Sequence, residues 1–69
     1  MKLSARNILR GTVTKITHGA VNSEVTIRLD SGTVVVSIIT NESADNLGLK
    51  EGVEAYAVIK ASSVMIAVD

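Results

Sequence analysis

A chain of 69 residues with seven basic and seven acidic side chains has no formal net charge, which disfavours nucleic-acid binding through a broad basic surface. It has no cysteine and one histidine, so neither disulfides nor a zinc site is expected to stabilise it. Hydrophobic residues make up 46% of the chain, yet Tyr56 is its only aromatic residue, and a base-stacking platform for single-stranded nucleic acid is therefore also disfavoured.

The small size of the chain favours self-association. A domain of this length buries only roughly 60% of the surface that its unfolded chain exposes. Its apolar residues are mainly Val, Ile, Leu and Ala, which bury less area each than aromatic residues do. Association with further copies removes additional apolar surface from water. We therefore predict one domain that forms a homo-oligomer.

The sequence contains no segment that would place it in or across a membrane. No apolar run approaches the roughly 20 residues that a membrane-spanning helix requires. Met1 leads directly into polar residues, without the apolar stretch of a signal peptide. Together with the lack of cysteine, these features predict a cytoplasmic protein without a membrane partner.

Two strands are predicted in the first half of the chain. Ile8 to Thr17 is rich in threonine and β-branched aliphatic residues, which favour extended backbone. Gly11 within it predicts a bulge or a close approach by another backbone. The connection His18 to Asn22 leads to a second strand, Ser23 to Leu29, in which apolar and polar residues alternate. One face of this second strand is apolar: Val25, Ile27 and Leu29.

The third predicted strand is apolar on both faces. The turn signal DSG, Asp30 to Gly32, predicts a hairpin that leads into Thr33 to Ile39. One face carries Val34, Val36 and Ile38, and the other carries Val35 and Ile39. Apolar residues on both faces indicate burial on both faces, which a small single chain cannot provide. The pattern predicts a subunit interface, with coverage by the chain's own helix as the alternative.

The segment TNESADNLGLKEG, which follows the third strand, predicts one short helix. Thr40 or Asn41 suits its N-cap, and Gly48 suits its C-terminal end. We expect Leu47 and Leu49 to anchor this helix to the core.

Two further strands are predicted, Val53 to Lys60 and Ser63 to Val68. Three strands, a short helix and two strands are typical of a small closed Greek-key barrel of the OB type. Closure would also remove the exposed edges of these valine-rich strands. The predicted fold class is therefore all-β: one domain, residues 1–69, forming a five-stranded OB-like Greek-key barrel with one short helix between strands 3 and 4.

The chain offers little for catalysis. His18 is the only histidine, and nothing around it in the sequence indicates a nucleophile with an orienting acid. The acidic residues are scattered and do not form a cluster for a hard cation. Gly48 and Gly52 flank a loop and do not form a phosphate-binding P-loop. We therefore predict a protein that is not an enzyme.

Hydrogen-bond donors collect at the predicted ends of strands and helix. Two cations, several hydroxyls and free backbone amides would suit an anion that is rich in acceptor oxygens. From residue chemistry alone, the alternative of caps, turn residues and solvated charges stays open. The side chains concerned are Ser4, Arg6, Thr40, Ser43, Lys60, Ser62 and Ser63.

Four stretches of the sequence together resemble one known family. They are SARN at residues 4–7, GTVTKITHGAVNSEVTIRL at 11–29, ITNESADNLGL at 39–49 and IKASSVMIAV at 59–68. Each is weak by itself, but their combination and order resemble the Mop domain of the molbindin, or molybdenum-pterin-binding, family over essentially the whole chain.

The resemblance implies an OB-like barrel, a homohexamer built as a trimer of dimers, and molybdate or tungstate bound at subunit interfaces. It implies that Ser4, Ala5 and Arg6 serve the oxyanion from one subunit, and that Lys60, Ala61 and Ser62 serve it from a neighbour. Thr40 and Ser43 match positions that line oxyanion sites in related domains. No side chain is expected to coordinate the metal directly, and no catalytic cofactor is expected.

The resemblance also implies a second class of oxyanion site near the turn between the first two strands. Its expected residues are His18, Gly19, Ala20, Val21 and Asn22. The chain has no aromatic stacking surface for a pterin.

The predicted function is binding of molybdate or tungstate for intracellular molybdenum storage, buffering or homeostasis. Modules of this type also occur as ligand sensors in larger proteins. An OB-type module that binds nucleic acid or anions in general is the alternative, and the neutral charge and missing aromatic residues disfavour the nucleic-acid form of it.

Overall fold

The computed structural model describes all 69 residues, and most of the chain is β-strand. Four strands, one short helix and one 3₁₀ turn follow each other along the chain. They are β1 (Asn7–His18), β2 (Asn22–Leu29), β3 (Val34–Thr40), α1 (Asn41–Asn46), β4 (Glu54–Ile59) and the 3₁₀ turn Ala61–Ser63.

The strands form one antiparallel sheet in the order β3-β2-β1-β4. Three consecutive strands lie side by side and the fourth returns to lie beside the first, which is the Greek-key arrangement. The predicted all-β class, with one short helix between strands 3 and 4, is confirmed. The strand β1 is central because its first half pairs with β4 and its second half with β2.

Gly11 lies where β1 changes partners, and its lack of a side chain is required there. A Cβ at Gly11 would lie 2.5 Å from the carbonyl oxygen of Arg28 and 2.9 Å from Cα of Leu29. The predicted close approach of another backbone is therefore confirmed at this glycine. The irregularity in the β1–β2 register lies farther along, between Val13 and Lys15.

The core is small and lies on the inner face of the sheet. The alternation of β2 is confirmed, because its three apolar positions are buried while its polar neighbours are mostly exposed. Only eight of the 69 residues are buried, so most of the apolar residues remain in contact with water in a single chain. The largest group of buried apolar residues is Val13, Val25, Ile27, Leu29 and Ala57.

The outer face of β3 is exposed in the single chain. The hairpin between β2 and β3 is confirmed, and its turn uses Gly32 at a φ of 95°. Val34, Val36 and Ile38 are 56%, 55% and 61% exposed. The helix α1 does not cover them, so the alternative of coverage within the chain is wrong.

The helix α1 begins as the sequence predicts. Thr40 is its N-cap, and the Thr40 hydroxyl accepts a hydrogen bond from the backbone N–H of Ser43 at 3.0 Å. Gly48 follows the helix with a φ of 65°. Only one of the two expected anchors is correct, because Leu49 packs against the core whereas Leu47 is 68% exposed.

The predicted fifth strand, Ser63 to Val68, is absent from the sheet. After the 3₁₀ turn the backbone at Val64 is extended, but residues 64–69 pair with no strand. The alternation of apolar and polar residues shows that a segment is suited to form a strand. It does not determine with which sheet edge the segment pairs. With β3 and β4 as unpaired edges, the sheet curls but hydrogen bonds do not close it into a barrel within one chain.

The helix α1 has six residues, and no helix of the fold is long and apolar enough to cross a membrane.

Candidate functional site

The two polar ends of the chain meet at one end of the sheet. Asn7 pairs with Ile59 as the outermost pair of β1 and β4, and the Asn7 side-chain amide donates to the Ile59 carbonyl oxygen at 3.2 Å. Because the two strands are antiparallel, the residues before Asn7 and the residues after Ile59 leave the sheet at the same place. The segment Ser4–Arg6 therefore lies beside Lys60–Ser62.

These two segments surround an open cleft of about 530 Å³. Six of its seven lining residues were predicted from the sequence as oxyanion-binding residues. Val58 is the one that was missed, although it lies in β4 only two residues before Lys60. The lining residues are Ser4, Ala5, Arg6, Val58, Lys60, Ala61 and Ser62.

The polar groups of this cleft are donors that the chain itself leaves available. The N–H groups of Ala61 and Ser62 donate to no backbone carbonyl, since the 3₁₀ turn uses those of Ser63 and Val64. Neither Arg6 nor Lys60 forms an ion pair, and no carboxylate lines the cleft. The site therefore presents two positive charges and several N–H and O–H groups to a single space.

Arg10 shows the contrast with a cation that is already paired. Its Nε donates to Oδ2 of Asp30 at 2.8 Å, and this hydrogen bond, with the attraction between the two charges, raises the pKa of Arg10. The charge of Arg10 is neutralised locally, whereas the charges of Arg6 and Lys60 are free to meet an external anion.

The structure does not bring all the predicted residues of the first site together. Thr40 and Ser43 lie at the other end of the sheet, where Thr40 pairs with Asn22. The twelve residues of β1 separate the two ends, a span of roughly 35 Å in an extended strand. Thr40 and Ser43 were grouped with the cleft through their motif, which carries no information on distance.

The turn His18 to Asn22 lies at this second end, next to the start of α1. The backbone N–H of Asn41 donates to the Val21 carbonyl at 2.8 Å, and the Gly19 N–H donates to the Asn22 carbonyl at 2.7 Å. The N–H groups of Ala20 and Val21 donate to no backbone carbonyl. The five predicted residues of the second site thus form one exposed turn with two available donors.

A buried serine holds this turn, and the sequence analysis missed it. Ser23 is fully buried, and its Oγ donates to Oδ1 of Asn41 at 2.6 Å and lies 2.9 Å from Nδ1 of His18. The side chain of Asn41 then donates to the Gly19 carbonyl at 3.0 Å. The available signal was that Ser23 occupies an inward position on β2, in line with Val25, where an apolar residue is expected.

The expected division of the first site between subunits stays a prediction, and its two segments are already adjacent within one chain. Ser4–Arg6 and Lys60–Ser62 line the cleft of the same chain, because the pairing of β1 with β4 places them side by side. One chain therefore holds both cations of the site.

The comparisons with known proteins agree on one family. The TOBE domain model matches residues 3–66. The molybdenum-pterin-binding protein MopA of Rhodobacter capsulatus is 52% identical over 97% of this chain, which spans only 25% of MopA. The probable molybdenum-pterin-binding protein of Haemophilus influenzae is 46% identical over 100% of both chains.

A solved structure is similar in both sequence and fold. It is the cytoplasmic molybdate-binding protein ModG with molybdate bound, which matches with a TM-score of 0.90 and 57% identity over 94% of this chain and 46% of ModG. The chain therefore belongs to the TOBE domain family and, within it, to the molybdenum-pterin-binding (Mop) proteins.

Proposed function

We propose that this protein binds molybdate, and tungstate equally, in the cleft between Ser4–Arg6 and Lys60–Ser62. The observation that carries the proposal is that every polar side chain lining this cleft is able to donate a hydrogen bond and none is a carboxylate. Molybdate near neutral pH is a tetrahedral dianion with acceptor oxygens and no proton. A lining of cations, hydroxyls and free N–H groups complements it.

The same lining discriminates among oxyanions. Hydrogen phosphate carries a proton that needs an acceptor in the wall, and hydroxyls are the only acceptors that the side chains provide. Sulfate has no such proton, so only its smaller size disfavours it. Tungstate has nearly the size and charge of molybdate, and the cleft has no means of separating the two.

Self-association is the second part of the proposal. A folded monomer of this mass exposes roughly 4,100 Å² by the usual scaling with size. This chain exposes 5401 Å², and the excess contains many large apolar side chains. Exposed apolar surface of this extent is typical of a protein that buries it against partners.

Two apolar surfaces are available for contacts between copies. One is the outer face of β3, and the other is the segment Val64–Val68, in which Met65, Ile66 and Val68 are 93%, 86% and 91% exposed. This segment begins at the 3₁₀ turn that lines the cleft. A second copy that contacts the segment would cover the cleft and exclude water from the bound ion. The homohexamer that the resemblance implies, a trimer of dimers, would bury both surfaces.

Reversible binding without chemical conversion fits a role in molybdenum storage, buffering or homeostasis. No group of three His, Cys, Asp or Glu side chains gathers anywhere in the chain, and the cleft holds no base beside a nucleophile. The related ModG is described as cytoplasmic, and we propose the same location for this protein.

The experiment that tests the proposal is a crystal soaked in tungstate, because a heavy atom reveals its position directly. We expect tungsten in the cleft near Arg6 and Lys60. Gel filtration with added molybdate, compared with gel filtration with an added oligonucleotide, tests the nucleic-acid alternative. Co-elution with the oligonucleotide and no tungsten in the cleft would overturn the proposal.

A further inference from the structure

The hydrogen bonds around Ser23 determine which nitrogen of His18 carries a proton. The Gly19 carbonyl can only accept, so the Asn41 NH₂ group must face it, and Oδ1 of Asn41 must face Ser23. The single hydroxyl proton of Ser23 is then donated to Asn41. The Ser23 oxygen can therefore only accept from His18, which requires a proton on Nδ1.

This arrangement leaves Nε2 of His18 as the ring nitrogen that is open to binding. His18 is exposed, and its one hydrogen bond within the chain is made through Nδ1. In the neutral ring, Nε2 carries a lone pair and accepts hydrogen bonds. In the imidazolium form, the same nitrogen donates and the ring carries a positive charge.

We propose that His18, held by Ser23 and Asn41, makes oxyanion binding at the turn His18–Asn22 dependent on a proton. A fully ionised tetrahedral oxyanion has only acceptors, so the lone pair of neutral His18 opposes it. Protonation at Nε2 replaces this opposition with a charged donor, on the same exposed turn that carries the free N–H groups of Ala20 and Val21. The inference rests on anion binding at this turn, which is separate from the cleft of the proposed function. Ser23 and Asn41 are positioning residues in it.

The neighbouring charges do not substitute for this proton. On β1 the nearest is Lys15, and on β2 it is Glu24, and both side chains lie on the opposite face of their strand from His18 and Ser23. The helix α1 contributes two carboxylates, Glu42 and Asp45, which bring no positive charge, and β3 has no charged residue. The only ion pair of the chain lies elsewhere, between Arg10 and Asp30. The proton on His18 is therefore the positive charge that the turn can supply.

The tautomer is testable directly because the chain has one histidine. Long-range ¹H–¹⁵N correlation spectra of the intact protein, recorded for the neutral ring, report which ring nitrogen is protonated. We expect Nδ1–H in the wild type. A ring with its proton mainly on Nε2 would overturn the inference.

A residue-resolved titration with molybdate between about pH 6.5 and 8.5 tests the coupling. The amide signals of Ala20 and Val21 report binding at the turn. We expect the affinity there to fall by up to about tenfold per pH unit once His18 has lost its proton. His18→Gln keeps an amide donor without a titrating group, and its affinity should not change with pH. A wild-type response that is independent of pH, or absent at every pH, would overturn the inference.

Substitution of Ser23 separates positioning from a purely structural role. Ser23→Ala removes the acceptor for Nδ1–H, so the neutral ring can place its proton on Nε2 and the pH dependence should become shallower. Ser23→Thr retains a hydroxyl, so it should restore the wild-type pH dependence of molybdate binding at the turn. A Ser23→Ala protein with the wild-type tautomer and pH profile would contradict the role of Ser23. If this variant does not fold, the wild-type and His18→Gln measurements still decide the inference.

The same spectra keep this inference apart from the proposed function. The amide signals of Arg6 and Ala61 report the cleft, which contains no histidine. If the amide signals of Ala20 and Val21 alone do not change when molybdate is added, proton-coupled binding at the turn is refuted, whereas the proposal of binding in the cleft is unaffected. Loss of response at Arg6 and Ala61 refutes the molybdate cleft itself.

Discussion

Asn7 and Ile59 form the outermost pair of β1 and β4, and the Asn7 side chain binds the Ile59 carbonyl across the pair. This contact fixes the point at which the two strands separate. The segments that carry Arg6 and Lys60 are thereby held side by side before any ligand arrives. A site whose walls are already in place loses less conformational entropy when an anion binds.

Self-association leads to the first prediction. At micromolar concentration the protein should sediment as a species larger than the 7.2 kDa chain, because the outer face of β3 would otherwise remain in water. Ile38→Lys, in the middle of that face, should shift the protein toward smaller species. Ser31→Lys places the same charge in the exposed β2–β3 turn and serves as the control. A wild-type protein that sediments as a single chain would refute the interface.

The close approach at Gly11 leads to the second prediction. Gly11→Ala places a Cβ 2.5 Å from the Arg28 carbonyl oxygen and 2.9 Å from Cα of Leu29, which are backbone atoms and cannot move aside as a side chain would. The free energy of unfolding should fall by about 1–3 kcal/mol, as for other overpacked positions. Denaturant unfolding measures it. Gly32→Asn is the control, since the position has open space and asparagine tolerates a positive φ. An equal or smaller loss at Gly11 than at Gly32 would contradict the packing argument.

The donor-only lining of the cleft leads to the third prediction. Thermal stability should rise with molybdate and tungstate by similar amounts, less with sulfate and least with phosphate. A ligand that binds only the folded state stabilises by mass action, about 2.7 kcal/mol at a hundredfold excess over its dissociation constant. Differential scanning fluorimetry at equal anion concentrations provides the order. Equal shifts with phosphate and molybdate would indicate a general anion patch.

Features that depend on neighbouring residues could be predicted from the sequence. The alternation of β2, the tight turn at Gly32 and the cap at Thr40 are set within a few residues, and each is confirmed. Motifs at both ends of the chain also named six of the seven residues that line the cleft, although they assigned the two segments to different subunits.

Features that depend on distant partners could not be predicted. The segment 63–68 has a strand pattern, but strand pairing needs a partner edge, and alternation does not identify one. The link between His18, Ser23 and Asn41 joins three separate positions through a buried hydroxyl. No local sequence pattern indicates that those three residues are in contact. The only sign of the contact was a polar residue, Ser23, at an inward position of β2.

The fourth prediction treats Arg6 and Lys60 as partners that act on one ion. Both line the same cleft without an ion pair, so each is free to donate a charge-assisted hydrogen bond to the bound dianion. Such bonds contribute about 1.5–3 kcal/mol each. Arg6→Ala and Lys60→Ala should therefore each weaken molybdate binding roughly ten- to a hundredfold. Calorimetric titration of both single variants and the double variant measures this.

The double variant carries the sharper test. If both cations act through one bound ion, their effects should be non-additive, whereas sites that do not interact give additive losses. Unfolding without ligand should change little, or become slightly less favourable, because removal of either charge relieves repulsion in the empty cleft. Lys50→Ala removes an exposed lysine outside the cleft and should leave molybdate affinity unchanged. Additive losses below about threefold would assign Arg6 and Lys60 to solvated surface charge, which contributes little to binding.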